Sequence, residues 1–167
     1  CWHCFEVHSE LSNENKEEFL NQLNALLQET HLQISNATHI IITYGTSWVY
    51  KNIESNEIVA NCHKVPQKQF SKELLSVETI EKSIQNTIEF IQKINPNCHF
   101  IFTISPVRHL KDGFVENQRS KSHLITALHN LLNTDHYLLT TTYFPSYEIM
   151  MDELRDYRFY ARDMLHP

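Results

Sequence analysis

The sequence is short of glycine and of positive charge. It has only two glycines in 167 residues, Gly45 and Gly113. Because glycine serves where the backbone needs a positive φ or where another group comes close, each should answer one such need. Lys and Arg number 14 against 20 Asp and Glu, which gives a net charge of −6. A polyanion is bound by clustered Lys and Arg, so nucleic acid and an anionic membrane surface are excluded as partners.

Long apolar runs and a dense cysteine pattern are also missing. No stretch approaches the roughly 20 apolar residues that span a bilayer, and no signal-peptide pattern opens the chain. We therefore expect no membrane span and a soluble protein, with the cytoplasm as the default location. The four cysteines are too few for a disulfide framework of this length, so reduced thiols are expected. They are Cys1, Cys4, Cys62 and Cys98.

What the sequence does contain is an alternation of helix and strand signals. The length and the 41% of hydrophobic residues suit one domain over residues 1–167. A short apolar, β-branched run at 38–44 predicts a strand that is buried on both faces of a parallel sheet. A second buried strand is predicted at 100–104 and a third strand at 137–143. A hairpin is predicted over 48–60, and a loop over 61–70. Helical spacing predicts helices at about 12–35, with Ser12 or Asn13 as the cap, and at 76–95, 116–133 and 148–162. This order indicates an α/β domain built in layers.

In such domains, ligands sit at the carboxyl ends of parallel strands, here the loops 45–48, 105–113 and 143–147. The N–H of Gly45 is a candidate oxyanion donor, and the alternative, which the residues alone favour, is a plain turn. Arg108 can lie over a substrate carboxylate or phosphate. Alternatively, it pairs with acidic residues of the last predicted helix.

The stretch Asn61-Cys62-His63-Lys64 places an amide, a thiol, an imidazole and an ammonium side by side. Asn61 can donate to a developing oxyanion, and Cys62 can act as a nucleophile beside His63. Catalytic partners usually meet across a fold rather than along the sequence, so Asn61 ranks above Cys62. A solvated polar loop is the alternative.

Metal binding is not expected. Cys1-Trp2-His3-Cys4 has the spacing of a zinc knuckle, but structural zinc sites usually show a second paired knuckle. A zinc-stabilised domain, completed by ligands such as His8, His63 or His99, is therefore a third-ranked hypothesis. Four other histidines have no carboxylate or cysteine at a suitable interval and are interpreted as surface or helix-face residues. They are His109, His123, His129 and His136.

Asp163 and His166 lie three residues apart near the end of the sequence. In a turn, Asp163 can accept a hydrogen bond from His166 Nδ1 and leave Nε2 facing outward. That is the base and its orienting carboxylate in a Ser-His-Asp hydrolase. The spacing alone is weak evidence, since the chain holds 11 His, and a capped helix end is the alternative.

Several stretches together, in order along nearly the whole chain, resemble the bacterial GSCFA domain, a relative of the SGNH or GDSL hydrolases. They are Thr43–Tyr50, Asn61–Pro66, Thr103–Arg108, Val115–Asn117, Ser120–Lys121, Tyr143–Glu148 and Asp163–Pro167. The resemblance implies a three-layer α/β/α sandwich with a mostly parallel sheet, esterase-type chemistry and no cofactor.

Carried onto this sequence, the resemblance makes Asp163 and His166 the catalytic acid and base. Gly45 and Thr46 match the turn that reads Gly-x-Asn-Asp in related hydrolases, but Ser47 and Trp48 occupy the last two positions. That departure leaves the oxyanion amide open, with Asn61 or His63 as substitutes by position in their loop.

The Gly-Ser-Cys-Phe-Ala motif that names the family, and carries its proposed serine nucleophile, does not occur in this sequence. In the family pattern it lies upstream of Cys1. We therefore expect a sheet that is incomplete on its N-terminal side and a chain that alone is inactive.

The sequence thus predicts part of an SGNH-like serine hydrolase acting on a small-molecule or carbohydrate ester. Gly45, Thr46, Asn61, His63 and Arg108 are its candidate oxyanion or substrate-binding residues. The alternative is a non-catalytic module of the same fold, which binds a glycan or a protein through aromatic residues near Trp48 and Tyr147.

Overall fold

The computed structural model describes residues 1–134 and 140–167, and it divides the chain into two compact units. One unit consists of Cys1–Asn36 and Trp48–Leu74, and the other of Ala37–Ser47 and Leu75–Pro167. The single domain over 1–167 stays a prediction. In chain order the helices and strands are α1 (Lys16–Asn36), β1 (His39–Tyr44), β2 (Trp48–Asn52), β3 (Ile58–Val59), β4 (Phe70–Leu74), α2 (Val77–Ile94), β5 (His99–Ile104), α3 (Phe114–Leu132), β6 (Thr141–Phe144) and α4 (Ser146–Glu148).

The first unit combines α1 with a small antiparallel sheet in the order β3-β2-β4. The predicted hairpin is confirmed as β2 and β3. The N-terminal segment is joined to this sheet, because Phe5 O accepts hydrogen bonds from the N–H groups of Ala60 and Asn61 at 2.8 and 3.1 Å. The Phe5 ring also packs edge-on against the buried Phe70 ring, with centroids 5.7 Å apart.

The second unit is built on a parallel sheet in the order β1-β5-β6. Its central strand supplies the fully buried rings of Phe100 and Phe102. Helices α2 and α3 pack on each other, and α2 buries an isoleucine stripe at spacings of three and four: Ile80, Ile84, Ile88 and Ile91. The architecture is α/β with a parallel three-stranded sheet flanked by helices, consistent with a three-layer α/β/α fold. The predicted fold class is confirmed.

Part of one face of the parallel sheet is exposed to solvent. Along β1, exposed positions alternate with half-buried ones, and Ile41 is 67% exposed while Phe144 of β6 is 52% exposed. The prediction that β1 is buried on both faces is therefore wrong. β1 is an edge strand, and only the side chains on one side of its pleat meet the core.

Two other element boundaries differ from the sequence prediction. Helix α1 begins at Lys16 because the Asn15 side chain accepts from the N–H groups of Glu17 and Glu18, so neither Ser12 nor Asn13 is the cap. The loop predicted over 61–70 contains a 3₁₀ turn at Gln67–Gln69 and leads directly into β4, a strand that the sequence analysis missed. Helix α2 begins where the spacing predicts it, and it is capped by Ser76, whose Oγ accepts from Thr79 N at 3.2 Å.

The helix predicted over 148–162 is wrong beyond its first turns. α4 passes into a π-helical turn at Ile149–Glu153, and turns follow to the end of the chain. Tyr157 has φ +63°, which a right-handed helix does not allow. The side chain of Tyr160 bonds instead to Pro106 O at 3.1 Å, so the segment follows a neighbouring loop.

The third predicted strand is confirmed only in part. β6 covers Thr141–Phe144, whereas positions 137–139 and His136 lie outside the described residues. Among the helices of 1–134 and 140–167, none has both the length and the apolar character needed to cross a bilayer.

Gly113, at the N-terminus of α3, has φ +94° and ψ 169°. This region of backbone space is essentially reserved for glycine. We expect Gly113→Ala to lower the free energy of unfolding by about 1–3 kcal/mol, measured by urea unfolding. Val115→Ala is the matched control, since Val115 is an exposed residue in the first turn of the same helix. A loss no larger than that of the control would contradict the prediction.

Candidate functional site

The last residues of the chain form a tight turn around the Asp163 carboxylate. Asp163 Oδ1 accepts from the N–H groups of Leu165 and His166 at 2.9 and 3.3 Å, while Oδ2 lies 2.6 Å from His166 Nδ1. The predicted pairing of carboxylate and imidazole is therefore present. The turn is not the end of a helix, since Met164 has φ +59° and its N–H bonds to Ala161 O.

This geometry fixes the roles of the two ring nitrogens of His166. Nδ1 faces the carboxylate, and within the part of the chain that the structure describes, Nε2 has no hydrogen-bond partner. Asp163 and His166 are 44% and 60% exposed. The Leu165 N–H and the His166 ring lower the pKa of Asp163 from 3.8 to about 2. Asp163 is thus ionised at neutral pH and orients an accessible imidazole.

Arg108 holds the terminal turn from the loop after β5. Its backbone N–H donates to Leu165 O at 2.9 Å, and its guanidinium donates to Met164 O at 3.0 Å. The guanidinium also lies 5.6 and 5.8 Å from the ring centres of Tyr157 and Tyr160. Arg108 therefore binds main-chain carbonyls rather than acidic side chains of the last segment. Its contact with a substrate stays a prediction.

The loop after β5 comes close to Gly45 at the end of β1. A Cβ at Gly45 would stand 3.3 Å from His109 Nε2, which is tighter than ordinary packing. The backbone of Gly45 has no positive φ, so close approach explains this glycine and backbone conformation explains Gly113. The backbone N–H of His109 is held by Asn117 Oδ1 at 2.8 Å.

His109 is an exposed residue that the sequence analysis interpreted as a surface histidine, and it lies at the candidate site. Its pKa is lowered, first by the part of the ring that is removed from solvent and then by the charges of Lys121 and His166. The imidazole is thus subject to the charges of both the buried Lys121 and the terminal His166. No sequence spacing connects His109 with Gly45, so the sequence alone gave no signal for this contact.

The Lys121 side chain connects the carboxyl ends of β1 and β5. Its Nζ donates to Gly45 O and Ser105 O, both at 2.6 Å, and the side chain is only 1% exposed. Burial lowers the pKa of Lys121 to about 8. A signal for its burial was available, because Lys121 lies at helical spacing with the buried Leu124 and Leu128.

Thr46 and Ser47 are fixed by a buried hydroxyl cluster. Thr46 Oγ1 lies 2.9 Å from Ser120 Oγ, and Ser120 Oγ accepts from Ser47 N at 2.7 Å. Ser47 Oγ in turn donates to Ser120 O at 3.0 Å. These bonds determine the path of the chain after Gly45.

Asn61 and His63 belong to the other compact unit, where they meet the N-terminal segment. Asn61 Oδ1 accepts from His63 N at 2.8 Å. His63 Nε2 lies 2.6 Å from Cys4 O and 3.0 Å from Val7 O, so this nitrogen is the donor, because carbonyl oxygens only accept. The oxyanion role of both residues stays a prediction.

The cysteines Cys1, Cys4, Cys62 and Cys98 are all free thiols. Within residues 1–134 and 140–167, no three side chains of His, Cys, Asp or Glu come together so that they could hold a metal ion. Nε2 of His63 is already hydrogen-bonded to two carbonyls.

The buried ammonium of Lys121 predicts a rise of stability with pH. Because its pKa is about 8 in the fold against 10.5 for the free side chain, the unfolded chain binds the extra proton between these values, and stability increases with pH there. Between pH 8 and 10, the unfolding free energy of the wild type should gain about 2 kcal/mol relative to Lys121→Met. Urea unfolding at several pH values measures this difference.

Lys111→Met is the control for that experiment, since Lys111 is exposed. The comparison with a variant removes the effects of tyrosine ionisation, which are common to both proteins. If the difference in unfolding free energy between the wild type and Lys121→Met does not change with pH, the lowered pKa of a buried Lys121 ammonium is contradicted.

The turn around Asp163 should open only in strong acid. Its carboxyl pKa is lowered, so its stabilising effect is present above about pH 4 and is lost as pH falls towards 2. We expect the Leu165 amide resonance to titrate with a midpoint near pH 2 in an NMR experiment. Asp163→Asn should abolish that transition, whereas a midpoint near pH 4 in the wild type would refute the hydrogen-bonded turn.

Comparison with known proteins gives one positive result. The sequence model of the GSCFA family matches residues 1–167. No curated protein matches the chain, and no solved structure matches it. The match spans both compact units, including the strand-end loop at Gly45 and the terminal turn at Asp163 and His166. The chain therefore belongs to the GSCFA family.

Proposed function

We propose that this chain carries the acid-base part of an SGNH-like serine hydrolase that cleaves carboxylic esters. His166 is the general base and Asp163 its orienting carboxylate. The substrate class we propose is a small acyl ester, including an acylated carbohydrate. No metal or cofactor takes part in the proposed reaction.

One observation supports the proposal above all others, the 2.6 Å contact between Asp163 Oδ2 and His166 Nδ1. It selects the tautomer in which Nδ1 carries the proton and Nε2 is the basic nitrogen. Carboxylate-oriented imidazoles of this kind serve as general bases towards a serine hydroxyl. Arg108, through two bonds to the same turn, keeps the imidazole from turning away.

The proposed reaction has two steps. In the first, His166 Nε2 takes the proton of a serine hydroxyl as its oxygen attacks the ester carbonyl. The tetrahedral intermediate then expels the alcohol, which receives that proton from His166. In the second step, His166 Nε2 takes a proton from a water molecule whose oxygen attacks the acyl-serine. The intermediate expels the serine oxygen, which receives that proton from His166, and the carboxylic acid is released. Each cycle consumes one ester and one water and regenerates the serine hydroxyl and the neutral imidazole.

The serine of the proposal is the one in the Gly-Ser-Cys-Phe-Ala motif of the family. This motif does not occur in the 167 residues, and in our proposal the nucleophile is supplied by a segment other than these residues. Among the chain's own hydroxyls near the strand ends, Thr46 and Ser47 are bonded to Ser120, and Ser146 donates to Ile104 O. These groups serve the structure.

The test is to join the chain at Cys1 to a segment that carries Gly-Ser-Cys-Phe-Ala and to measure hydrolysis of p-nitrophenyl acetate. We expect turnover, and a loss of kcat/KM of at least about 10³-fold in His166→Ala. Replacing the serine of the added motif by alanine should cause a similar loss, and Asp163→Asn should cost about 10²- to 10⁴-fold.

The chain offers a matched control for these variants. His8 and Glu10 form another exposed histidine–carboxylate pair, with Nδ1 3.7 Å from Glu10 Oε2. His8→Ala should leave kcat/KM unchanged. Absence of turnover, or turnover that is indifferent to His166→Ala, would reject the hydrolase and leave the binding module as the better hypothesis.

The binding-module alternative loses part of its support in the structure. Tyr147, one of the aromatic residues assigned to ligand contact, is buried at 7% exposure. Its hydroxyl donates to Gln118 Oε1 at 2.7 Å, and its ring lies 5.7 Å from Lys121 Nζ. Tyr147 is thus part of the support of the site rather than a surface for a glycan.

A further inference from the structure

The proposed reaction needs a hydrogen-bond donor for the oxyanion, and the family resemblance leaves that donor without a residue. The position that holds Asn in related turns is Ser47, which is buried and bonded to Ser120. The donor therefore has to come from another element that reaches the end of β1.

The side chain of His109 also reaches that strand end. Its Nε2 is 3.3 Å from where a Cβ of Gly45 would stand, so the imidazole lies directly over the backbone at this position. Any other residue at position 45 would require the ring to shift by a few tenths of an ångström. In the described residues, neither ring nitrogen of His109 has a hydrogen-bond partner. Its ring N–H is therefore available to a substrate.

The loop that carries His109 is fixed on both sides. Asn117 Oδ1 accepts from the His109 backbone N–H at 2.8 Å, and the preceding residue, Arg108, is bonded to the terminal turn. The same bonds that hold His166 thus also set the position of His109. Hydrogen-bond donors that are already in position before the reaction stabilise the transition state effectively.

The surroundings of His109 favour the neutral form of its imidazole, which keeps one N–H to donate. The pKa of His109 is below its ordinary value of 6.5, through partial burial and through the charges of Lys121 and His166. Of the groups around the ring, Lys121 lies beneath Gly45 and His166 is on the terminal turn. Near neutral pH, His109 is uncharged, carries one N–H, and leaves the role of base to His166.

We propose that His109 is a catalytic residue of this site, whose ring N–H binds the carbonyl oxygen of the ester and the oxyanion that forms from it. The substrate carbonyl would lie between the His109 ring and the backbone at Gly45, with its carbon towards His166. This inference rests on the proposed ester hydrolysis. It gives the site two imidazoles with different tasks, one that accepts a proton and one that donates a hydrogen bond.

Other histidines of the second unit do not fit this role. His123 Nδ1 lies 2.7 Å from Leu75 O, and the ring of His129 packs edge-on against Tyr143 with centroids 4.7 Å apart. Neither is in contact with Gly45. His109 is thus distinguished by its place over the glycine as well as by its free ring nitrogens.

The test compares His109→Ala and His109→Gln in the chain joined to the Gly-Ser-Cys-Phe-Ala segment, with p-nitrophenyl acetate as substrate. Removal of one oxyanion donor typically lowers kcat by about 10²- to 10³-fold, and we expect a loss of this size in His109→Ala with little change in KM. Gln places an amide N–H near the position of Nε2, so His109→Gln should keep kcat within about tenfold of the wild type.

Gly45→Ala tests the same geometry from the other side. The added methyl group must displace the His109 ring by a few tenths of an ångström, so kcat should fall although both functional groups remain. His39→Ala is the control, since His39 is exposed at the start of β1, at the opposite end from Gly45. It should leave kcat unchanged.

The outcomes separate this inference from the proposed function. If His166→Ala abolishes turnover and His109→Ala does not affect it, the role of His109 is overturned while the hydrolase stands. If neither substitution affects turnover, the hydrolase itself is rejected. A His109→Gln variant as slow as His109→Ala would overturn the donor role, because the amide retains the N–H.

Discussion

The ammonium of Lys121, buried between two strand ends, is the interaction on which the site depends. It donates to the carbonyls of Gly45 and Ser105, and so it ties β1 to β5 at the edge where their loops diverge. A buried cation is costly unless its hydrogen bonds are made, and here the partners are main-chain oxygens. The position of Gly45 and the start of the loop that carries Arg108 and His109 are therefore coupled through one side chain.

The other parts of the site are connected to these two strand ends through the loop after β5. The loop after β5 holds the terminal turn through Arg108, and the turn holds the imidazole through Asp163. The same loop brings His109 over Gly45. The arrangement explains how a segment with no regular secondary structure keeps a defined geometry, since each of its turns is bonded to a strand-end loop.

The sequence predicted the parts of this structure that depend on local patterns. The isoleucine spacing predicted α2, and the short apolar runs predicted β1 and β5. The pair formed by Asp163 and His166 was also predicted, because a three-residue turn is itself a local structure. GSCFA membership followed from several short stretches in order.

What the sequence could not give depends on contacts between distant residues. The 148–162 segment has helical spacing of charges, but its aromatic side chains bond to the loop after β5 and override that propensity. His109 lies 64 positions from Gly45 along the chain, so their contact has no local signature. The burial of Lys121 could have been predicted from its place on the apolar stripe of α3. Its two carbonyl partners could not be predicted, because they lie far from it in the sequence.

In the terminal turn, the two positions between Asp163 and His166 are under different structural constraints. Both oxygens of Asp163 are used across a fixed span, so an insertion or deletion of one residue would separate them from the imidazole. Position 164 has a left-handed backbone, which favours Gly or Asn and disfavours β-branched residues. Position 165 contributes only its main chain to these bonds, and its half-buried side chain favours an apolar residue there.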